Sequence, residues 1–261
     1  MTKATVFVTG GAGYCGSRLI PQLLSRGYKV TVYDILYFGS EFLPLNDPNL
    51  TLVEGDIRDT RKLATSCKNH DIFISLACIS NDASFELDEE LSTSINLNAF
   101  EPMVKAAKQA GVKRFIYASS SSVYGIKDEL DVHEEMTLEP LTDYSRFKAD
   151  CEKILNEYQS DDFTTVTIRP ATVCGYSPRQ RLDVVVNILT NLAYHDRKIS
   201  VFGGNQLRPN IHIKDMVDAY MLLLTAPKEK IAGKIFNAGY ENQPVKELAE
   251  TVKSVVGKDV K

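Results

Sequence analysis

The chain has no tryptophan among its 261 residues, only four histidines and only five cysteines. The cysteines (Cys15, Cys67, Cys78, Cys151 and Cys174) are odd in number, scattered, and never form a C-x-x-C pair. That spacing excludes a disulfide framework and a zinc ribbon and points to a reducing, cytoplasmic setting. The histidines (His70, His133, His195 and His212) lack metal-ligand spacing, so no metal is expected. No apolar run approaches the length of a membrane span. A strand-like run at 4–9 starts too early to leave room for a signal peptide, so no membrane partner is expected. Neither sign of charge dominates, with 34 acidic against 30 basic residues and a net charge of −4. A polyanion would find no broad basic footprint, and nucleic acid is not expected as a partner.

What is present is the composition of an ordinary globular protein, 44% apolar and 25% charged. Short β-branched runs at 4–9, 28–33, 50–53, 71–77, 114–118 and 163–168 alternate with helical patterns near 14–26, 59–68, 88–110 and 143–159. Steady strand–helix alternation predicts an α/β fold, a doubly wound parallel sheet of the Rossmann type covered on both faces. Beyond residue 170 the pattern loosens into a smaller mixed α/β lobe. Its expected helices are 183–196, 215–226 and 244–256, and its expected strands 199–202, 210–213 and 233–237. Pro21, inside the first helical pattern, removes one helix hydrogen bond.

The first strand runs into Thr9-Gly10-Gly11-Ala12-Gly13-Tyr14-Cys15-Gly16 and then an amphipathic helix. Glycines at 10, 13 and 16 permit a tight turn, close approach of backbone to a pyrophosphate, and close helix–strand packing. The helix N-terminus offers free N–H groups to the anion. The second strand ends at Asp34, about 20 residues on, where a carboxylate can bind an adenosine ribose. Asp34 would repel a 2′-phosphate, so NAD is expected rather than NADP.

On a helix over 144–158, Tyr144, Phe147, Lys148, Cys151, Ile154, Leu155 and Tyr158 share one stripe. Ser145, Arg146, Asp150, Glu152, Lys153, Asn156 and Glu157 take the other side. An ammonium group on an inward face needs a partner or a task. Tyr144 lies one turn before Lys148, and a cation beside a phenol lowers its pKa toward the working range. That suits a general acid–base for alcohol/ketone interconversion. A snorkelling lysine beside a core tyrosine fits the same spacing, and the dinucleotide fingerprint upstream favours the chemical reading. Ser119-Ser120-Ser121-Ser122 follow the strand 114–118, where the carboxyl ends of parallel strands open onto the ligand crevice.

Together these residues resemble the extended short-chain dehydrogenase/reductase family in its NAD-dependent nucleotide-sugar epimerase/dehydratase branch, UDP-glucose 4-epimerase-like. The resemblance also covers Gly55-Asp56-Ile57-Arg58-Asp59, Ser75-Leu76-Ala77-Cys78, Asn96, Val123-Tyr124-Gly125, Arg169-Pro170 and Arg208-Pro209-Asn210-Ile211-His212-Ile213-Lys214-Asp215. It implies Ser120, Tyr144 and Lys148 as the catalytic residues. It places Asp56 and Ile57 about the adenine, and the Leu76-Ala77 backbone along the cofactor. Tyr14, Cys15, Asn96, Ser119 and Pro170, with Tyr144 and Lys148, complete the cofactor set. Arg208 would hold the substrate diphosphate, with Thr172 where 4-epimerases often have an Asn for it, and with Ser120 and Tyr144 at the sugar. The segment 177–187 could line the nucleotide pocket, with Arg179 and Arg181 facing the anion, or could equally be a solvated loop. The helices 88–110 and 143–159 imply a homodimer.

Departures from the family pattern narrow the chemistry. Dehydratases carry Asp-Glu before the Val-Tyr-Gly, decarboxylases a Glu, and 3,5-epimerases a Cys, where this chain has Ser121-Ser122. A nucleotide-sugar 4-epimerase is therefore the leading expectation. A 4-dehydrogenase or ketoreductase is the alternative, and a non-catalytic NAD-sensing protein the reading from another class. The expected division is 1–172 for NAD and 173–261 for the sugar nucleotide, partly interleaved. Family members usually continue several dozen residues beyond the helix at 244–256, so the expected substrate lobe is incomplete or more open.

Overall fold

The computed structural model describes residues 3–80, 82–127, 129 and 131–261. In chain order the elements are β1 (Thr5–Thr9), α1 (Gly16–Ser25), β2 (Lys29–Asp34), β3 (Leu50–Glu54), α2 (Thr60–Ser66), β4 (Ile72–Ser75), α3 (Asp82–Glu86), α4 (Glu89–Thr93), α5 (Phe100–Gln109) and β5 (Arg114–Ala118). There follow α6 (Asp143–Glu157), β6 (Thr164–Pro170), β7 (Thr172–Cys174), α7 (Val185–His195), β8 (Leu207–His212), α8 (Ile213–Thr225), α9 (Lys228–Ile231), β9 (Lys234–Ala238), β10 (Glu241–Pro244) and α10 (Val245–Val256).

Seven strands form one parallel sheet in the order β3-β2-β1-β4-β5-β6-β9. The order reverses between β1 and β4, which opens a crevice at their carboxyl ends. Strand alternation explains the core on each side. Val6, Val8, Ile74 and Ile116 point to the face covered by α1 and α8, where they meet Leu19, Leu23, Met216 and Tyr220. Phe7, Phe73 and Phe115, one residue out of phase, point to the face covered by α2, α5 and α6. Phe7 is in register with Phe73 and Phe73 with Phe115, at ring-centroid distances of 5.1 and 4.7 Å. Each such aromatic pair contributes about 0.5–1.5 kcal/mol beyond its buried area. Because both faces are covered, these strands read as continuous apolar runs.

Asp71 clips the entry side of the sheet. Its carboxylate accepts from the Thr5 amide (3.0 Å), the Thr5 hydroxyl (3.1 Å) and Lys113 Nζ (2.8 Å). Lys113 first, and then the Thr5 amide, hold the Asp71 carboxyl below the usual carboxylate range. A depressed folded-state pKa means stability that is present above the unfolded value and lost as pH falls through the folded one. Melting temperature against pH should therefore fall less steeply in acid for Asp71→Asn than for the parent. Equal acid slopes would remove Asp71 from the account.

Three expectations are corrected. The helix over 88–110 is α4 and α5 separated by a π-helical turn over Ser94–Asn98, with Phe100 and Met103 resuming the buried face. The segment 199–202 is not a strand: Val201 and Phe202 face solvent, and Gly203 and Gly204 follow with φ of 75° and 88°. The strand over 233–237 forms as β9, but it pairs with β6 in the main sheet. The smaller sheet is β10-β8-β7, with β8 antiparallel to β10 and parallel to β7. Pro21 lies exposed in α1, which continues unbroken to Ser25. Among the described residues no helix is long and apolar enough to cross a membrane.

Candidate active site

The glycine loop lies against the backbone after β4. Gly10 has a φ of 73°, and a Cβ there would come within 2.6 Å of the Ala77 amide nitrogen. A Cβ on Gly16 would meet the Gly11 carbonyl at 2.3 Å, so α1 starts tight against the loop. Leu76 N–H donates to the Thr9 carbonyl at 3.0 Å, which fixes that approach. Asp34, at the end of β2, accepts the Ala12 amide on one oxygen (3.0 Å) and the Leu36 amide on the other (2.9 Å). Thr9 Oγ1, just before the loop, is buried without a hydrogen-bond partner among the described residues. An orphaned hydroxyl, a cradle that admits no Cβ and a carboxylate at the second strand end together fit a dinucleotide.

The other expected cofactor residues divide into two kinds. Cys15 stands at the start of α1, and burial pushes its thiol up to about 12. Asp56 keeps its carboxylate on Arg58, whose hydrogen bonds hold it below the ordinary range, while its carbonyl accepts the Tyr33 hydroxyl at 2.9 Å. Ile57 is buried with the aromatic cluster. Asn96 rides on the π-helical turn, a distortion frequent at functional sites. Its amide brackets Ile79, accepting from the Ile79 amide (2.9 Å) and donating to its carbonyl (2.8 Å), which orders the loop after β4. Pro170 ends β6 opposite Ala238. Tyr14 and Ser119 face elsewhere. The Tyr14 hydroxyl donates to the Gly175 carbonyl (2.7 Å) and accepts from Asn187 (3.2 Å), and burial pushes that phenol up to about 12. Ser119 donates its hydroxyl to the Glu152 carboxylate, so that group is committed to α6.

The expected catalytic trio comes together at the end of β5. Thr142 caps α6 by accepting the Ser145 amide at 3.3 Å, so the helix begins one residue before Tyr144. Lys148 is buried, donates to the Ala118 carbonyl at 2.7 Å, and lies 5.8 Å from the Tyr144 ring centroid. Ser120 opens the 3-10 turn Ser121–Tyr124, shares a 2.9 Å hydrogen bond with the Ser122 hydroxyl, and is near enough to Tyr144 to favour its phenolate. The expectation that Lys148 brings the phenol down is met only in part. Burial pushes Tyr144 up, and this outweighs the opposite pull of Lys148, Arg181 and Ser120. Burial opposes the Lys148 charge, but the nearby Cys78 thiol and Tyr144 keep that ammonium protonated.

The expected substrate residues are only partly assembled. Thr172 starts β7 opposite Asn210. Arg208 stands exposed on β8 opposite Gln243, in the small sheet and outside the trio's cluster. The Arg179 guanidinium lies 3.6 Å from the Phe38 ring centroid and senses Asp34, which puts it on the dinucleotide side. Arg181, held by Asp183 at 2.8 Å, is the arginine that senses Tyr144. Successive residues of an extended segment point to opposite faces, so positions 179 and 181 share a face only if the chain is straight; here the chain bends at Arg179. Sequence reasoning also missed Ser17 and Ser177, whose hydroxyls meet at 2.7 Å and tie the glycine loop to the segment after β7. Glu152, expected on the side of the helix opposite the Tyr144–Lys148 stripe, is buried against Arg169 at 2.6 Å. The signal that could have found it is its spacing, one turn beyond Lys148 as Lys148 is one turn beyond Tyr144.

Comparisons with known proteins agree with this geometry. Residues 6–239 match the model of the NAD dependent epimerase/dehydratase family. A UDP-glucose 4-epimerase of Lactobacillus helveticus is 28% identical, covering 98% of this chain and 82% of that protein. A dTDP-D-glucose 4,6-dehydratase of Mus musculus is 31% identical, covering 95% and 73%. Among solved structures, a UDP-N-acetylglucosamine 4-epimerase from Methanobrevibacter ruminantium M1 in complex with UDP-N-acetylmuramic acid superposes with a TM-score of 0.90 at 26% identity, covering 100% of this chain and 84% of that one. The Thermus thermophilus UDP-glucose 4-epimerase in complex with NAD gives 0.84 at 25%, covering 97% and 83%.

Proposed function

Since the chain belongs to the NAD-dependent epimerase/dehydratase family, we propose that it is a nucleotide-sugar epimerase acting at a single carbinol carbon, C4. The observation that carries this reading is the closeness of Ser120, Tyr144 and Lys148 at the end of β5, with Ser121 and Ser122 on the turn where a dehydratase needs acids. NAD, when bound, supplies the hydride acceptor and a further positive charge. Tyr144, as phenolate, takes the proton of the sugar hydroxyl and later returns it. Ser120 holds the reacting oxygen, and Lys148 carries the charge that favours the phenolate while its tether to Ala118 fixes its position. Inversion at C4 would then require that the pocket leave the sugar room to present its other face to the bound group.

The same proposal assigns 1–172 to the dinucleotide and 173–261 mainly to the sugar nucleotide, with β9 lending its strand to the first part. It takes the protein to work in the cytoplasm, which the five free cysteines support. It also takes the protein to be a homodimer through α5 and α6. Their exposed Glu101, Lys105, Lys153 and Glu157 offer opposite charges that a twofold axis can pair.

The test is incubation of the purified protein with UDP-, dTDP-, GDP- and CDP-sugars, read by NMR for inversion at C4 and by absorbance for reduced nicotinamide. Inversion without net change of the nicotinamide is expected, with NAD co-purifying. Stoichiometric reduction would assign a dehydrogenase or ketoreductase instead, and NAD binding without turnover of any sugar a sensing protein.

A further inference from the structure

Two successive residues at the end of β5 are held by residues of α6 one turn apart: Ala118 accepts Lys148 Nζ at 2.7 Å, and Ser119 donates to Glu152. The next residue, Ser120, is near enough to Tyr144, one turn earlier on α6, to favour its phenolate. Positions 144, 148 and 152 climb one face of the helix, so the strand end lies along it like a splint. Glu152 is itself fixed. Arg169 grips Glu152 through Nε (3.0 Å to Oε1) and Nη2 (2.6 Å to Oε2), with both side chains almost wholly buried at 2% and 4% exposure. Arg169 Nη1 donates in turn to the Tyr124 hydroxyl (2.6 Å), and that hydroxyl donates to Asn237 Oδ1 (2.7 Å) on β9.

We propose that Glu152, fixed by Arg169, is a positioning residue that sets the strand end through Ser119, between the Ala118 carbonyl that tethers Lys148 and the Ser120 hydroxyl beside Tyr144. The inference rests on the epimerase reading for its kinetic test and on the geometry alone for its spectroscopic one. Stability does not account for the pair by itself, because a buried ion pair is often matched or bettered by apolar side chains of the same volume. What an apolar pair would not do is receive the Ser119 hydroxyl. Glu152 Oε1 accepts Ser119 and Arg169 Nε together, so the carboxylate is shared between the strand end and the β6 arginine.

The consequence is electrostatic as well as geometric. The groups facing Tyr144 are Lys148 on its own helix, Cys78 after β4, Arg181 after β7, Tyr117 on β5 and Tyr220 on α8. Asp82, Glu86, Glu89 and Asp143, with Arg146, line the adjoining cleft. Lys148, held by Ala118, and Ser120 are two of the few influences that favour the phenolate against burial, and both sit at this strand end. Letting Ser120 drift raises the phenol, and the ascending limb of kcat against pH moves to higher pH.

Glu152→Gln, which keeps the shape, and Ser119→Ala, which cuts the link but leaves the ion pair intact, test this in the NAD-loaded protein. In both variants kcat is expected to fall by about tenfold to a hundredfold, with the sugar KM within about threefold. The ascending limb should shift upward and NAD content should be retained. The Tyr144 resonance of isotope-labelled tyrosine, assigned by its disappearance in Tyr144→Phe, reports the same shift without any substrate. An unmoved Tyr144 titration in Ser119→Ala overturns the inference, whether or not that variant loses NAD or stability. A parent protein that turns over no nucleotide sugar overturns the epimerase reading alone, and the resonance still decides the role of Glu152.

Discussion

Tyr144→Phe should lower turnover by about 10²–10⁴-fold, the usual worth of a general acid–base group, while leaving the protein folded and loaded with NAD. The ring is partly buried at the mouth of the crevice, and its hydroxyl is the only atom removed. Nothing in the glycine loop depends on that oxygen, since the loop is held by Asp34, Tyr33 and the backbone after β4. The effect should therefore fall on kcat and not on cofactor content, measured by the absorbance of NAD released on denaturation. A variant keeping more than about a tenth of parental turnover would place the proton transfer elsewhere. Lys148 would then be a buried cation satisfied by Ala118 alone.

Gly10→Ala carries the second large expected effect, on cofactor and fold together. Its φ of 73° is a left-handed conformation that costs a residue with a Cβ about 1–2 kcal/mol. Its Cβ would stand 2.6 Å from the Ala77 amide nitrogen, which is backbone and has no rotamer to yield. Relieving such a contact costs about 1–3 kcal/mol more, and the movement opens the cradle itself. A fall in melting temperature together with loss of co-purifying NAD is the expected result. Gly111 is the control, because it has a φ of 88° but nothing within 4 Å of where a Cβ would stand. Gly111→Ala should show the conformational cost without the loss of NAD; equal effects in the two variants would mean that the approach to Ala77 is not what Gly10 protects.

The parts of the molecule that are legible in sequence are those in which local pattern and tertiary role coincide. Arg114–Ala118 forms as expected because its apolar run is buried on both faces. The glycine loop is legible for a related reason: its glycines are required by backbone contacts made where the first strand gives way to the first helix. Glu152 misleads because polarity reads as exposure, whereas α6 is covered on more than one side and Glu152 is neutralised by Arg169, seventeen positions on. Charge pairing between distant segments leaves no periodicity. Arg179 and Arg181 are indistinguishable in sequence, two arginines in one loop. Phe38 and Asp183, one from each part of the molecule, decide which arginine faces the dinucleotide and which faces Tyr144. The π-helical turn is hidden because one extra residue in a turn barely disturbs a helical pattern, yet it is what presents Asn96 to Ile79.

The return of the chain to the main sheet bears on how the protein is made. β6 is bordered on one side by β5, already synthesised, and on the other by β9, which emerges only after the whole of the small sheet's β7 and β8. During synthesis β6 is therefore an open edge with unpaired backbone groups, the kind of surface that recruits other chains. Asn237 on β9 also closes the hydrogen-bond chain that runs through Tyr124 and Arg169 to Glu152. Completion of the face that carries Tyr144 therefore needs contacts of high sequence separation. A nascent chain can shape its nucleotide loop early, but it closes the hydrogen-bond chain behind Glu152 only when its last parallel strand has docked.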